Sequence, residues 1–415
     1  MRLPSGWLIW RRGGQKQKRP TAGSRSISRS VLDSGIFPAA LAILLIGLVM
    51  VASVSMPLAE KNFGNPLHYL IRQSQFAGLG LLAGLVVLQI KLSFWEKFSP
   101  LLLLGSTLLL IFVLFYGVEV KGASRWISFG AIKMQPSELA KISAFIYLSS
   151  YLVRHRKRVC IEFAAVIMPI GLLAIVSVLI LLEPDLGAAV VLMVVVLIMM
   201  ILAGVRTSQI VLFIALGLIA FYIAIKMEDY RWKRIVAYWN NDPLINIQIK
   251  ENWQIGQSLL SFNNGGFSGV GLGEGLQKLF YLPDAHTDFI LASIAEELGL
   301  IGTLSLLALF SFIVWKAFKL AQQAAAANLY FASYLAYGLG SWIGIQVLIN
   351  YGVNMNILPT KGLTLPLISY GGSSLIVMMV AITLLMRIEY EVGPYLRGIK
   401  SGRKKKNGIV KGGIK

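Results

Sequence analysis

The sequence predicts an all-α polytopic membrane protein, and three observations support this prediction. Of the 415 residues, 56% are hydrophobic and only 14% are charged, whereas soluble domains carry about 25% charged residues. The mean hydropathy is +0.70. The apolar residues form continuous runs of about 20, the length that an α-helix needs to cross a hydrocarbon core of about 30 Å. A membrane β-barrel would instead show alternating segments of roughly ten residues.

Ten runs qualify as transmembrane helices. They cover residues 36–56, 73–90, 99–117, 137–153, 163–182, 185–203, 208–226, 287–315, 328–350 and 369–387. The fifth and sixth runs are separated only by Glu183 and Pro184, so a tight helical hairpin is expected there. The chain thus divides into a basic tail at 1–35, a ten-helix domain at 36–392 and a second basic tail at 393–415.

The distribution of Lys and Arg predicts that both termini are cytoplasmic. With the N-terminus inside, the inner segments hold 26 of the 39 basic residues, and an excess of such residues is typical of the cytoplasmic side. The tails carry most of the net charge of +20. That charge alone would indicate a nucleic-acid partner, but its location excludes one. The tails either fix the topology or contact anionic lipids.

Polar residues concentrate on the predicted outer face. The segment at 118–136 contains Lys121 and Arg125, cations that suit an anion such as a diphosphate. The fifth and sixth helices meet on the same side at Glu183-Pro184-Asp185, which we interpret as a structural turn.

The fourth predicted helix opens with charged residues. Gln135 or Ser137 would cap it, and Glu138 and Lys141 follow on one helix face. Charges inside a membrane are costly and usually face the bundle interior or a water-filled cavity. This pair is therefore either a structural ion pair or the polar wall of a substrate cavity.

A large external loop is predicted at about 227–286. Its Gly-rich run, 263–275, does not fit a dinucleotide-binding fingerprint. Its tryptophans suit interfacial anchors or stacking on sugar rings. One cysteine and three histidines in the whole chain exclude Cys-rich metal centres and leave little room for a His-based one.

The eighth predicted helix begins directly after this loop. Thr287 would cap it, and Asp288 would lie in its first turn. Asp288 and Glu296 would share one helix face about 12 Å apart along the axis, with Asp288 near the surface and Glu296 deep. Asp288 is either a capping acid or an acid at a cavity mouth that accepts a proton.

The last external stretch runs from 358 to 366 and carries one cation, Lys361, between two prolines. It leads to Ser369 and a run of small residues at the start of the tenth helix. Such residues allow close helix approach or expose backbone N–H groups to an anion.

Taken together, these motifs resemble the SEDS family (FtsW/RodA-like) of bacterial cell-wall proteins, and they are most similar to its division branch. The matching stretches are Lys121–Ile127, Gln135–Glu138 with Lys141, Glu183–Gly187, His286–Ile290, Pro359–Pro366 and Ser369–Ser374. They span residues 121–374. Asn356 and Gly275 are less typical of the family.

The resemblance implies an inverting peptidoglycan glycosyltransferase that polymerises lipid II. Asp288 matches the family's essential acid, and the pair on the fourth helix matches its cavity pair. The expected substrate-binding residues are Lys121, Arg125, Gln135, Ser137, Glu138, Lys141, His286, Thr287, Lys361 and Ser369. No metal site or other cofactor is identified. A divalent cation, Mg²⁺ or Mn²⁺, is one further candidate for compensating the diphosphate charge.

The resemblance also implies partners and a location. The partners are a class B penicillin-binding protein transpeptidase (FtsI-like) and other division proteins. The location is the bacterial inner membrane at the division septum, with the active face periplasmic. Two alternatives stay open: a lipid II flippase, in which Glu138, Lys141 and Glu296 form a polar track, and a division scaffold that uses the tails as docking sites.

Overall fold

The computed structural model describes residues 35–120, 123–129, 132–228, 232, 236, 238, 250–359 and 362–411. The helices assigned within these residues are α1 (Ile36–Phe63), α2 (His68–Gln89), α3 (Leu92–Tyr116), α4 (Pro136–Arg154), α5 (Arg156–Val159), α6 (Ala164–Leu182), α7 (Leu186–Leu202), α8 (Thr207–Lys226), α9 (Lys250–Gly265), α10 (Ile290–Ala326), α11 (Tyr330–Asn354) and α12 (Gly372–Lys411). Three strands lie between α3 and α4: β1 (Val118–Val120), β2 (Ala123–Phe129) and β3 (Ile132–Met134).

A helix forms at each of the ten predicted positions, which confirms a polytopic helical membrane protein. Seven of the helices in the described part of the chain, α1, α2, α3, α6, α8, α10 and α11, are long and apolar enough to cross a membrane. The apolar helix α7 is shorter, with 17 residues. Large apolar side chains point outward from the bundle, such as Leu82, Leu101 and Leu218, which are 61%, 62% and 64% exposed. In water such a surface would be an aggregation liability, whereas lipid accommodates it.

Several helices extend beyond their predicted ends. The first runs to Phe63 rather than 56, because Gly64 adopts a left-handed conformation (φ 62°) and donates its N–H to the carbonyl of Glu60, the usual glycine termination of a helix. The last described helix continues to Lys411, into the predicted basic tail.

Two elements were not predicted. The segment at 118–134 forms a three-stranded antiparallel sheet in the order β1-β2-β3. Its central strand is rich in β-branched and aromatic residues around Trp126 and Ile127, which favour strands. The second element is α9, which lies within the predicted loop at 227–286 and packs against α10.

The centre of the bundle is formed by α4 and α11, in which most residues are buried. Helix α11 packs against α10, α7 and α4, and α2 packs against α12. Because α11 is enclosed, its polar residues contact protein rather than lipid. The polar side chains of α11 can therefore hydrogen-bond to polar groups of neighbouring segments inside the bundle.

The predicted eighth helix is interrupted. Gly299 in α10 has a non-helical backbone (φ 66°, ψ −165°). The freed backbone groups bond to the Gly-rich segment: the carbonyl of Glu296 accepts from Val270 N–H at 2.9 Å, and Leu300 N–H donates to the carbonyl of Gly266 at 2.9 Å. Irregular backbone within a membrane domain needs such internal pairing. The Gly-rich run therefore belongs to the packed bundle.

Candidate active site

Asp288 lies in a compact turn that ends where α10 begins. The carbonyl oxygen of Asp284 accepts hydrogen bonds from the backbone N–H groups of Thr287 (3.0 Å) and Phe289 (3.3 Å) and from the Thr287 hydroxyl (3.2 Å). The predicted cap at Thr287 and the predicted first-turn position of Asp288 are therefore wrong, because this turn delays the helix to Ile290. Asp288 is partly exposed.

Two buried asparagines of α11 hold the backbone of Asp288. The Nδ2 groups of Asn350 and Asn354 donate to the Asp288 carbonyl at 3.1 and 3.2 Å. Oδ1 of Asn354 accepts from the N–H of Ala292 at 3.1 Å, so it caps α10, whose own N-cap residue forms no side-chain cap. Sequence reasoning missed both residues, although Gln346, Asn350 and Asn354 recur at the four-residue spacing of one helix face.

The loop at 362–371 lies against the same turn. Nδ2 of Asn350 also donates to the carbonyl of Leu363 at 2.8 Å, so one amide group joins the two segments. A Cβ atom placed on Gly362 would lie 3.0 Å from Oδ2 of Asp288. The Asp288 carboxylate is therefore in close contact with this loop.

Further hydrogen bonds fix the loop from inside and from α2. Nε2 of Gln73 donates to the carbonyl of Ser369 at 3.1 Å, and Oε1 of Gln73 accepts from Gly371 N–H at 3.4 Å. The hydroxyl oxygen of Ser369, a predicted substrate-binding residue, accepts from Leu365 N–H at 2.7 Å. Since Ser369 is buried, its observed contact shapes the loop.

His286 belongs to a cluster of rings beside the Asp288 turn. Its imidazole centroid lies 4.9 Å from that of Tyr69 and 5.7 Å from that of Tyr370. The carbonyl of His286 accepts from Tyr370 N–H at 2.9 Å. These contacts place His286 between α2 and the loop at 362–371.

The predicted pair on α4 forms a buried ion pair. Nζ of Lys141 lies 2.8 Å from Oε1 of Glu138 and 5.2 Å from the ring centre of Trp342 on α11. Lys141 has no exposed surface, and Glu138 is 6% exposed. Oε2 of Glu138 has no hydrogen-bond partner among the described residues. The pair is compatible with both predicted roles, ion pair and cavity wall.

Gln135 and Ser137 contact the turn between α6 and α7. Oδ2 of Asp185 accepts from Nε2 of Gln135 at 3.1 Å and from the hydroxyl of Ser137 at 3.5 Å, and its Oδ1 caps α7 through the N–H of Ala188 at 3.0 Å. The start of α4 is thereby tied to the start of α7. Neither residue provides the predicted side-chain cap of α4.

Arg125 of β2 binds the same turn. Its Nε donates to the carbonyl of Glu183 at 2.8 Å, and its Nη2 donates to the carbonyl of Pro184 at 2.6 Å. Burial raises the pKa of Glu183 to about 8; the charge of Asp185 adds to this effect and Arg125 opposes it. Neither carboxylate oxygen of Glu183 has a hydrogen-bond partner within the described chain, which fits a neutral acid at neutral pH.

The prediction that Asp288 and Glu296 share one helix face is wrong, because Asp288 precedes α10, which begins only at Ile290. The Glu296 carboxylate accepts from the N–H groups of Leu276 (3.1 Å) and Gln277 (3.2 Å), because the Gly-rich segment folds back onto α10. The adjacent Glu297 pairs with Lys278 at 2.9 Å. Both acids anchor this segment to the helix.

Two predicted cations, Lys121 and Lys361, lie outside the described residues. Within the residues that the structure describes, no three His, Cys, Asp or Glu side chains are grouped so that they could hold a metal ion.

The fold and the site together define a multi-pass helical membrane protein with a partly exposed acid at one end of its bundle. Residues 34–393 match the model of the FtsW/RodA/SpoVE family, described as cell cycle proteins. The chain belongs to this family.

Curated relatives match over most of their length. The chain is 45% identical over 369 residues to the probable peptidoglycan glycosyltransferase FtsW of Legionella pneumophila, with 87% of this chain and 92% of the relative covered. It is 46% identical over 363 residues to the protein of the same name from Nitrosococcus halophilus, with 86% and 92% covered.

Solved structures share the fold. The rod shape determining protein RodA of Thermus thermophilus superposes with a TM-score of 0.63 at 26% identity, covering 86% of this chain and 96% of that chain. A chain of a peptidoglycan synthase complex that coordinates polymerization and crosslinking gives a TM-score of 0.71 at 27% identity, with 86% and 97% covered.

Proposed function

We propose that this chain is a peptidoglycan glycosyltransferase that polymerises lipid II during cell division, with Asp288 as the group that accepts the proton of the acceptor hydroxyl. The names of the relatives support the activity. The structural observation that carries the role of Asp288 is its setting: a partly exposed carboxylate whose backbone is fixed from the buried helix α11.

In the proposed reaction, the acceptor hydroxyl oxygen bonds to the anomeric carbon of the donor sugar while the bond from that carbon to the diphosphate oxygen breaks. Asp288 takes the hydroxyl proton. Attack from the face opposite the leaving group inverts the anomeric carbon. The lipid diphosphate leaves as an anion, so it needs charge compensation rather than a proton.

Compensating charge would come from Lys121, Arg125 and Lys361. The two hydrogen bonds from Arg125 to the 183–184 turn end on carbonyl oxygens, which leave its positive charge in place, whereas the charge of Lys141 is neutralised by Glu138. Gln135, Ser137, His286, Thr287 and Ser369 would shape the site around the substrate. A divalent cation would be held by the diphosphate itself.

We further propose that ten helices cross the membrane with both termini in the cytoplasm. The ten helices and the concentration of 26 of 39 basic residues in the inner segments support this arrangement. Asp288 would then act on the periplasmic face of the inner membrane, at the division septum.

A class B penicillin-binding protein transpeptidase (FtsI-like) and other division proteins are the proposed partners. The structurally similar synthase complex coordinates polymerization with crosslinking, and this pairing of activities supports a transpeptidase partner.

The proposed domain organisation is a membrane domain at 36–392 between two basic tails, at 1–35 and 393–415.

The flippase alternative needs a polar track through the bundle. The Glu296 carboxylate accepts hydrogen bonds from two backbone N–H groups, and Lys141 is engaged in its ion pair with Glu138. Because Glu138 is the partner in that ion pair, all three residues of the predicted track make local contacts, which favours polymerisation. The scaffold role does not explain why a partly exposed carboxylate, that of Asp288, is held by hydrogen bonds from α11.

The test uses purified full-length protein in lipid nanodiscs, with and without a purified FtsI-like transpeptidase. Polymerisation of lipid II into glycan strands is expected on gels. A preparation that forms no polymer but moves lipid II between the leaflets of proteoliposomes would support the flippase instead.

A further inference from the structure

We propose that Asn350 is a positioning residue that sets the location of the Asp288 carboxylate through the backbone, with Asn354 assisting it. The expected effect on kcat rests on the proposed function, whereas the fixing of the Asp288 backbone by Asn350 does not. Asn350 is buried, and its amide donates to backbone carbonyls. Its effect on the reaction would therefore pass through Asp288.

The amide of Asn350 joins two segments that are distant in the chain. Its Nδ2 carries two hydrogens, and its two carbonyl acceptors are Asp288 (3.1 Å) and Leu363 (2.8 Å). An amide nitrogen has this donor capacity and no more, so both donors are used. One buried side chain thus fixes the spacing between the acid's turn and the loop that it faces.

Asn354, one helical turn later, completes the attachment. Its Nδ2 donates to the Asp288 carbonyl and its Oδ1 accepts from Ala292 N–H, so the turn and the first turn of α10 are held together. The backbone carbonyl of Asn354 accepts in turn from the hydroxyl of Ser258 at 2.8 Å. The position of Asp288 is therefore set by hydrogen bonds from the buried helix α11, which is itself hydrogen-bonded to α9, rather than by contacts with solvent-exposed loops.

The chemical need for this arrangement is geometric. A general base must lie within hydrogen-bond reach of the proton that it removes, and displacement by about 1 Å can cost about 100-fold in rate. The turn itself has short-range hydrogen bonds around Asp284. Buried donors from a packed helix supply the rigidity that a surface turn lacks.

Two substitutions at Asn350 distinguish the effect of its hydrogen-bond donors from the effect of its side-chain shape. Asn350→Leu removes both donors, and Asn350→Asp keeps the shape but presents acceptors to the two carbonyls. Tyr351→Phe is the matched control, because its hydroxyl donates to the Thr303 carbonyl at 2.9 Å and this change removes a buried hydrogen bond from the adjacent residue of the same helix.

Lipid II polymerisation is measured per folded molecule, counted from the monodisperse peak on gel filtration. We expect both Asn350 variants to lower kcat at least about tenfold with KM within about threefold, and Tyr351→Phe to retain kcat within about twofold. Equal losses in Asn350→Leu and Tyr351→Phe, or an unchanged kcat in Asn350→Leu, would overturn the proposal.

Hydrogen–deuterium exchange of the peptide covering residues 284–292 tests the same point without any activity. Exchange is expected to be at least about tenfold faster in Asn350→Leu and unchanged in Tyr351→Phe. Unchanged exchange in Asn350→Leu would overturn the positioning role. Failure of the wild-type protein to polymerise lipid II would instead overturn the proposed function, and the exchange result would still decide the positioning role.

Discussion

Oδ2 of Asp288 lies 3.0 Å from the position that a Cβ atom on Gly362 would occupy. This contact joins the acid to a loop that follows it by more than 70 residues in the chain. The absence of a side chain at 362 thus defines the space around the carboxylate, and any group added there must displace it.

Gly362→Ala is therefore expected to lower kcat for lipid II polymerisation about tenfold, since the carboxylate must move by a few tenths of an ångström or more. Thermal stability should change little because Gly362 is exposed. Gly105→Ala on α3, where an added Cβ meets nothing within 4 Å, is the control and should keep full activity. Wild-type kcat in Gly362→Ala would show that the contact does not constrain the acid.

Breaking the α4 ion pair should destabilise the protein. Lys141→Met leaves the Glu138 carboxylate buried without its counter-charge, at a cost of about 3 kcal/mol. A marked fall in the melting temperature in detergent is the expected measurement. The double change Lys141→Met with Glu138→Gln should recover most of that loss.

The same double variant distinguishes the two roles of the pair. If the pair forms a cavity wall, glycan synthesis stays low after stability is recovered. If it is only a structural ion pair, synthesis returns together with stability.

Glu183 should make stability depend on pH. Its pKa is raised from 4.5 to about 8 in the folded protein, mainly by burial, so the folded state retains a proton that the unfolded chain releases. Stability from this group is therefore full below about pH 4.5 and is lost as the pH rises to about 8. Glu183→Gln stays neutral, so its advantage in melting temperature over the wild type should grow across that range. A constant difference would contradict the raised pKa.

The packing of α9 on α10 should depend on Gly265. A Cβ atom there would overlap with the carbonyl oxygen of Ala295, so Gly265→Ala must separate the two helices and should lower the melting temperature. Gly217→Ala on α8 is the matched helical control because nothing lies within 4 Å of its Cβ position, and it should stabilise by about 0.5–1 kcal/mol. Equal behaviour of the two variants would contradict the observed packing.

The helices were predictable because each is a continuous apolar run, and their number of ten in the membrane stays a prediction supported by charge distribution. The break at Gly299 was not predictable, since it depends on the Gly-rich segment supplying hydrogen bonds to Glu296 and Leu300. The sheet at 118–134 was not predictable from the sequence, because strands of only three to seven residues show too few alternations of polar and apolar residues.

Within the site, Asp288 and the pair Glu138 and Lys141 stood out as charges in an apolar chain. Asn350 and Asn354 did not, because an uncharged amide in a helix has many structural uses and its acceptors are backbone carbonyls that no motif records. Long-range contacts of this kind are decided by tertiary packing. The roles assigned to the substrate-binding residues remain predictions.

The most direct test of the central claim is glycan-strand formation from purified lipid II by Asp288→Ala and by the isosteric Asp288→Asn, each reconstituted in nanodiscs beside the wild type. Because a positioned general base contributes about 100-fold or more, both variants are expected to lose at least that factor while they fold and insert normally. Wild-type polymerisation by either variant would contradict the assignment of Asp288 as the proton acceptor.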